Sequence, residues 1–254
     1  MPAPPAHSEI NRAVEAFARG FAFARSLTYP YRAERVGRLW VLRDAPRKRA
    51  ADYRREEWVA WGVAPAAVDA TARAKTRGRY CICAIRDIDE PDAALRNEYR
   101  ALGYRLGSTE ALMIHRLTRI PRLPKAPVKI VRVRTQSLAN RVAKAGRRTQ
   151  MLPQHLKNDS PLRLYAAVVD DRPVAWVQSI AAGEGAWVQG VWVDPQFRRR
   201  GIGRAMMAKM LRDDRRCGAK FSALLASHAG AMLYPTVGYE PVGELLLYTP
   251  KRGK

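Results

Sequence analysis

The stretch VDPQFRRRGIGRAMM, Val193–Met207, sets three arginines directly before a Gly-x-Gly and then opens a helix. Upstream, AWVQGVWV is an apolar run of strand character. Downstream, Met206, Met207, Met210 and Leu211 recur on one face at helical spacing, and Gly218 supplies a stop. Glycines at a strand-to-helix junction let main-chain N–H groups approach a ligand closely, and the first N–H groups of a helix have no intrahelical partner. Arg198, Arg199, Arg200 and Arg204 add charge and forked donors suited to phosphate oxygens. Several cations at the positive end of a helix dipole are unfavourable without an anion, so the stretch reads as a loop that holds a phosphate. No Gly-Lys-Ser/Thr follows and the third glycine of a dinucleotide turn is missing, which excludes a P-loop and a Rossmann turn.

The elements around this loop form a consistent order. VKIVRVRT alternates like a half-buried strand, and SLANRVAKAGRR reads as a helix with Ser137 as its expected N-cap. LRLYAAVVDDRPVAWVQSI is two apolar runs around Asp170-Asp171-Arg172-Pro173, a hairpin signature. After the AGEG turn come the strand, the loop and its helix, then the strand KFSALLAS, a short helix in HAGAMLYPTVGY and a last strand in EPVGELLLYT. The order β-α-β-β-β-α-β-α-β describes a mixed sheet with helices packed on it, an α/β fold.

The chain has 254 residues, 47% of them hydrophobic, which is enough for two globular units. RIPRLPKAPVKI, Arg119–Ile130, with three prolines, reads as the linker, so domains are expected at 1–122 and 123–254. In the first unit EINRAVEAFARGFAFARSL, RKRAADYRREEWVAWGV, PAAVDATARAKTRG and DAALRNEYRALGY look helical. RLWVLRD, RYCICAI and EALMIHRL look like strands. Trp40, Trp58 and Trp61 fit core packing better than a ligand cage. EYRALGYRLGSTEALMIH echoes LYPTVGYEPVGELLLYT: Tyr99, Gly103 and Tyr104 match Tyr234, Gly238 and Tyr239 at the same spacing, which predicts a tandem duplication.

Lys and Arg total 46 against 23 Asp and Glu, a formal charge of +23. Such a balance suits nucleic acid, but the excess is spread over both halves instead of forming one block. Nucleic acid is therefore a possible partner and not the favoured one. No run approaches the roughly 18 apolar residues of a membrane span, and no secretory signal pattern stands at the N-terminus. Cys81 and Cys83 read as buried free thiols on one strand face, with no metal cluster near them. A cytoplasmic location is expected, and oligomeric state is not legible.

The segment VWVDPQFRRRGIGRAMMAKML resembles the acyl-CoA-binding motif of the GNAT superfamily of N-acyltransferases, Gln/Arg-x-x-Gly-x-Gly/Ala after a strand ending Val-x-Pro, filled here by Arg198, Gly201 and Gly203. SHAGAMLYPTVGYE resembles the family's Asn-x-x-Ala-x-x-x-Tyr-x-x-x-Gly-Phe, with Ser227, Gly230, Tyr234, Gly238 and Tyr239 at those positions. Ser227 replaces Asn and Gly230 replaces Ala. The resemblance covers about residues 126–250. It implies an acyl-CoA N-acyltransferase fold in the second unit and a degenerate GNAT-like copy, lacking the Arg-x-x-Gly-x-Gly loop, in the first.

The same resemblance implies acetyl-CoA as acyl donor, bound between splayed strands. The main chain of Val191, Trp192 and Val193 would hold the pantetheine arm and the thioester carbonyl. The loop of Arg198, Arg199, Arg200, Gly201, Ile202, Gly203 and Arg204 would take the pyrophosphate, with Ser227 also at the cofactor. Tyr234 would protonate the leaving thiolate after direct attack by the primary amine of a small molecule or peptide. The base stays open between Glu184, His228 and a water relay through Gln189; His115 and His155 lack a triad. Two other classes stand beside this one: a tandem-GNAT transferase that uses aminoacyl-tRNA, and a non-catalytic nucleic-acid-binding or regulatory protein on a decayed GNAT fold.

Overall fold

A computed structural model describes residues 6–123, 128–227 and 230–251, with side chains from residue 9. The chain divides into two compact units. One holds the described residues up to Met113, with Leu225–Ser227 and those from Pro241 onward; the other holds the described residues of Ile114–Leu224 and His228–Glu240.

In the first unit α1 (Ala6–Arg25) packs on β1 (Tyr31–Val36), β2 (Leu39–Asp44) and β3 (Glu56–Trp61). Then follow α2 (Pro65–Lys75), β4 (Tyr80–Asp87), α3 (Ala93–Ala101) and β5 (Tyr104–His115). The strand order is β1-β2-β3-β4-β11-β5, where β11 is Glu240–Pro250. Thus the last strand in sequence, expected to finish the second unit, pairs antiparallel with β4 from Gly243↔Asp87 to Tyr248↔Ile82. Trp58, Val41, Ile82, Tyr99, Tyr104 and Tyr248 fill the core. Cys81 and Cys83 are buried free thiols on β4.

Two expectations for this unit fail. EEWVAW is the strand β3, parallel to β4 from Glu56↔Tyr80 to Trp61↔Ile85, where a helix was expected. Its first five residues are all buried, including Glu56 and Glu57. Two adjacent acids look like a solvated helix face, but Arg77 Nε reaches Glu56 Oε1 at 3.0 Å, and the Tyr31 hydroxyl donates to Glu57 Oε2. β1 was not foreseen at all, because YRAERV on the edge of the sheet carries charges and only Tyr31 is buried.

The second unit contains β6 (Lys129–Arg132), α4 (Gln136–Gly146), β7 (Leu162–Val169), β8 (Arg172–Ala182), β9 (Gly185–Val193), α5 (Ile202–Arg216) and the first three residues of β10 (Ser222–Ala226). The strands lie in the order β10-β9-β8-β7-β6. The β7–β8 turn is the predicted Asp170-Asp171 pair, both left-handed at φ 45° and 60°, as a tight two-residue hairpin requires. The α4 N-cap is Thr135, whose hydroxyl accepts from the Leu138 N–H at 3.3 Å; Ser137 lies inside the helix, so the expected cap is two residues late. α4 packs on β8, and α5 packs on β7, β8 and β9. Part of the expected linker, residues 124–127, lies outside the described residues. No helix among the described residues is long and apolar enough to cross a membrane.

Candidate functional site

The site is built on β9. Its antiparallel register with β8 is regular from Ala182↔Gly185 to Gln178↔Gln189, then shifts before Trp176↔Trp192. Gly190 sits at the shift with φ 64°, a left-handed conformation that opens a bulge and re-aims the following main chain. On its other edge β9 pairs in parallel with β10 through Ser222↔Ala186 and Ala223↔Trp187, both at its start. Among the described residues that register goes no further. The β10-facing main chain of Val188–Val193, which includes Val191, Trp192 and Val193, therefore has no β10 partner, and of it the Val193 carbonyl is taken by Arg198.

The chain then turns into α5. Asp194 Oδ1 accepts from the Gln196 N–H at 3.0 Å, the Asp194 N–H reaches Val174 O at 2.8 Å, and the Asp194 carboxylate pairs with Arg172. Arg198 folds back so that Nε donates to Val193 O at 3.0 Å, tying the loop to the end of β9. Arg199 at φ 62° and Gly201 at φ 74° are both left-handed, and Gly201 is the N-cap of α5. A cap without a side chain leaves the first helical N–H groups, those of Ile202, Gly203 and Arg204, without a side-chain cap. Arg198, Arg199, Arg200 and Arg204 are exposed, and none joins an ion pair among the described residues. Arg200 lies over the Phe197 ring at 5.3 Å.

α5 is pinned by a buried ion pair. Arg163 of β7 donates through Nη2 to Asp214 Oδ1 at 2.8 Å, and Ser179 of β8 donates to the same oxygen at 2.6 Å. Burial pushes the Asp214 carboxyl up, opposed by the Arg163 guanidinium. The pair fixes the far end of the helix whose first turn forms the loop.

Tyr234 begins a short 3-10 turn, Tyr234–Val237, and is buried. A Cβ on Gly230 would lie 2.7 Å from Tyr234 Cε2, so the ring packs over the bare Gly230 backbone. This gives a reason for glycine where the resembled motif has alanine. Gly238 is left-handed at φ 97°, and a Cβ there would meet His115 Nε2 at 2.9 Å. Tyr239 stands edge-on to both Tyr234, at 5.9 Å, and His115, at 5.4 Å, and its hydroxyl bonds to Ser222 Oγ at 2.7 Å. His115 is no base in waiting: Nδ1 accepts from the Leu117 N–H at 2.8 Å, and burial depresses its pKa.

The echo seen in sequence recurs in three dimensions within the first unit. Gly103 has φ 85°, and Tyr99 and Tyr104 are buried and edge-on at 5.7 Å, like Tyr234 and Tyr239 around Gly238. Between β3 and α2, however, that unit has only Gly62, Val63 and Ala64, without arginine.

Of the three base options, Glu184 is exposed in the β8–β9 hairpin, six residues before the bulge, or roughly 20 Å along a strand. His228 lies outside the described residues. Gln189 is half-buried next to the bulge and donates to Gln178 Oε1 at 2.8 Å, which leaves its own carbonyl oxygen available to a water. Gln178 in turn donates to Gln150 O. Sequence reading missed Gln178 and Gln150. Both are almost fully buried, and a glutamine inside the apolar run VAWVQSI is the signal that could have revealed the first. Trp176 and Trp192 stack at 4.2 Å on either strand beside the bulge. Ser227 is exposed directly after β10. Among the described residues no group of three His, Cys, Asp or Glu side chains is placed to hold a metal ion.

With this geometry in view, residues 160–241 match the family model described as acetyltransferase (GNAT) domain. The chain is similar to a GCN5-related N-acetyltransferase from Kribbella flavida, at 21% identity and TM-score 0.64 over 95% of this chain and 96% of that one. A GCN5-related N-acetyltransferase from Sphaerobacter thermophilus matches at 17% identity and TM-score 0.57, over 82% and 75%. A tandem GNAT protein from the clavulanic acid biosynthesis pathway matches at 14% and 0.57, over 100% and 98%. No curated protein matches the chain. Residues 160–241 thus carry a GNAT acetyltransferase domain, and the chain shares its fold along its length with GCN5-related N-acetyltransferases and a tandem GNAT protein.

Proposed function

We propose that the protein is an acetyl-CoA-dependent N-acetyltransferase, with domains close to 1–122 and 123–254, that acetylates a primary amine of a small molecule or peptide by direct attack. The observation that carries this reading is the strand-to-helix junction, where a left-handed Gly201 caps α5 amid exposed arginines free of carboxylate partners.

The chemistry follows from the residues. The N–H groups of Ile202, Gly203 and Arg204 have no side-chain cap, and with Arg199, Arg200 and Arg204 they suit a pyrophosphate. The main chain of Val191, Trp192 and Val193, which has no β10 partner and of which only the Val193 carbonyl is taken, by Arg198, offers the pantetheine amides a strand to pair with, and one N–H there polarises the thioester carbonyl. The amine attacks that carbon as its proton passes to a water on Gln189, since no carboxylate of β9 stands at the bulge. Tyr234 delivers a proton to the departing sulfur. Among the three bases considered, Glu184 is too far along β9. The aminoacyl-tRNA reading is weaker because the loop, Arg198 to Gly203, matches the acyl-CoA motif.

Thiol release from acetyl-CoA with a panel of amines tests the proposal. Tyr234→Phe should lower kcat about a hundredfold with little change in acetyl-CoA affinity. Full activity of that variant would remove Tyr234 from the mechanism.

A further inference from the structure

We propose that the first unit has an anion site of its own, distinct from the acyl-CoA loop, that binds a small polyanion through its phosphate or carboxylate oxygens. It lies where β3, β4 and β5 begin and β11 ends, the opposite end of β3 from its junction with α2. A cavity of about 850 Å³ opens there, within the size range of small-molecule sites.

Its wall is cationic. Arg55 precedes β3, Arg79 precedes β4, Arg105 is the second residue of β5, and Lys251 follows β11. The parallel register Glu56↔Tyr80 sets Arg55 beside Arg79 on neighbouring strands, an unfavourable pair of like charges. Among the described residues none of these four cations joins an ion pair and no carboxylate lines the cavity. The acids nearest on β3 have closer partners, Glu56 in Arg77 and Glu57 in Tyr31 and Arg25, and Arg55 attracts Glu57 only at longer range.

A second cavity of about 300 Å³ shares Arg105 and Lys251 and adds Arg96 and Arg100 of α3. Arg96 is held by Asp92, while Arg100 only touches Asn97. Tyr248 lines this second space, 1% exposed, and its hydroxyl is buried without a hydrogen-bond partner. Burial pushes that phenol up to about 12, so it is a neutral donor across the physiological range. A buried donor without an acceptor is costly, and an oxyanion supplies what it lacks. Converging cations, absent carboxylates and an orphaned O–H are the features of a polyanion site.

Calorimetry of the full chain with inorganic triphosphate and with citrate provides the test. It is run on the wild type and on Arg200→Ala/Arg204→Ala, in which the loop at α5 is disabled. The loop variant should retain one triphosphate or citrate site of micromolar affinity. The stronger of the two ions identifies phosphate or carboxylate as the natural group. On that background Arg79→Gln/Arg105→Gln should weaken binding at least about tenfold, and Tyr248→Phe by about three- to tenfold. Tyr248→Phe keeps the ring that stacks on Tyr99 at 4.3 Å, so its thermal stability without ligand should be unchanged or higher, which separates a lost hydrogen bond from lost folding. Loss of all anion binding in the loop variant would overturn the proposal. So would unaltered affinity in Tyr248→Phe and Arg79→Gln/Arg105→Gln, or binding of RNA alone with a steep salt dependence.

Discussion

Replacing Gly201 by alanine isolates the backbone conformation on which the loop depends. Gly201 holds φ 74° and ψ 0°, and no atom lies within 4 Å of where its Cβ would stand. The substitution therefore meets no clash, and its cost is the left-handed strain of a residue with a side chain, about 1–2 kcal/mol. For a chain of this size each kcal/mol lowers Tm by about 2–4 °C, so a fall of roughly 2–8 °C is expected. Part of the strain will be relieved by rotation of the cap, which turns the Ile202 and Gly203 N–H groups away from their common direction. Acetyl-CoA affinity should then fall by about tenfold. Gly203→Ala is the control. That glycine has no left-handed φ, and its Cβ would make ordinary contacts with Leu233 at 3.5 Å and Val193 at 3.8 Å. Alanine also favours the helix by up to about 1 kcal/mol, so Tm should hold or rise and affinity should stay within about threefold. Thermal melts and calorimetry read both variants. If Gly203→Ala loses more affinity than Gly201→Ala, or Gly201→Ala binds like the wild type, the reasoning about the cap is wrong.

Other residues give further tests. Gly238→Ala adds a methyl 2.9 Å from His115 Nε2 at φ 97°, and should destabilise by about 2 kcal/mol or more in urea unfolding and reduce turnover by displacing Tyr239 and Tyr234. Asp214→Ala leaves Arg163 buried without its partner and should cost about 3–5 kcal/mol, most of it recovered in Arg163→Met/Asp214→Leu. His115 is neutral and its pKa is depressed below 6.5 by burial, so the unfolded chain binds the proton more readily. Its contribution to stability is complete above pH 6.5 and is lost as pH falls from there through its folded value. His115→Asn retains an acceptor for the Leu117 N–H and should flatten the fall of Tm as pH drops below 6.5; an equal slope in both proteins would exclude His115 as its source.

The loop was legible because its chemistry is local: glycines, a run of arginines and a helix face lie within one short stretch. The same holds for the Asp170-Asp171 hairpin, where the left-handed pair is set by the residues themselves. β3 was not legible, since Glu56 and Glu57 are buried only because Arg77 and Tyr31 come from elsewhere in the chain. The place of β11 beside β4 is a long-range pairing that no local pattern carries. The Gln189–Gln178–Gln150 chain also depends on tertiary register, because the β8–β9 pairing sets Gln189 directly opposite Gln178.

Acetyl-CoA titration into the wild-type chain, with Arg200→Ala and Gly201→Ala alongside, tests the central claim most directly. One site per chain with a Kd in the micromolar range, weakened by both substitutions, is predicted. An absence of acetyl-CoA binding, together with tight and salt-steep binding of RNA, would contradict it.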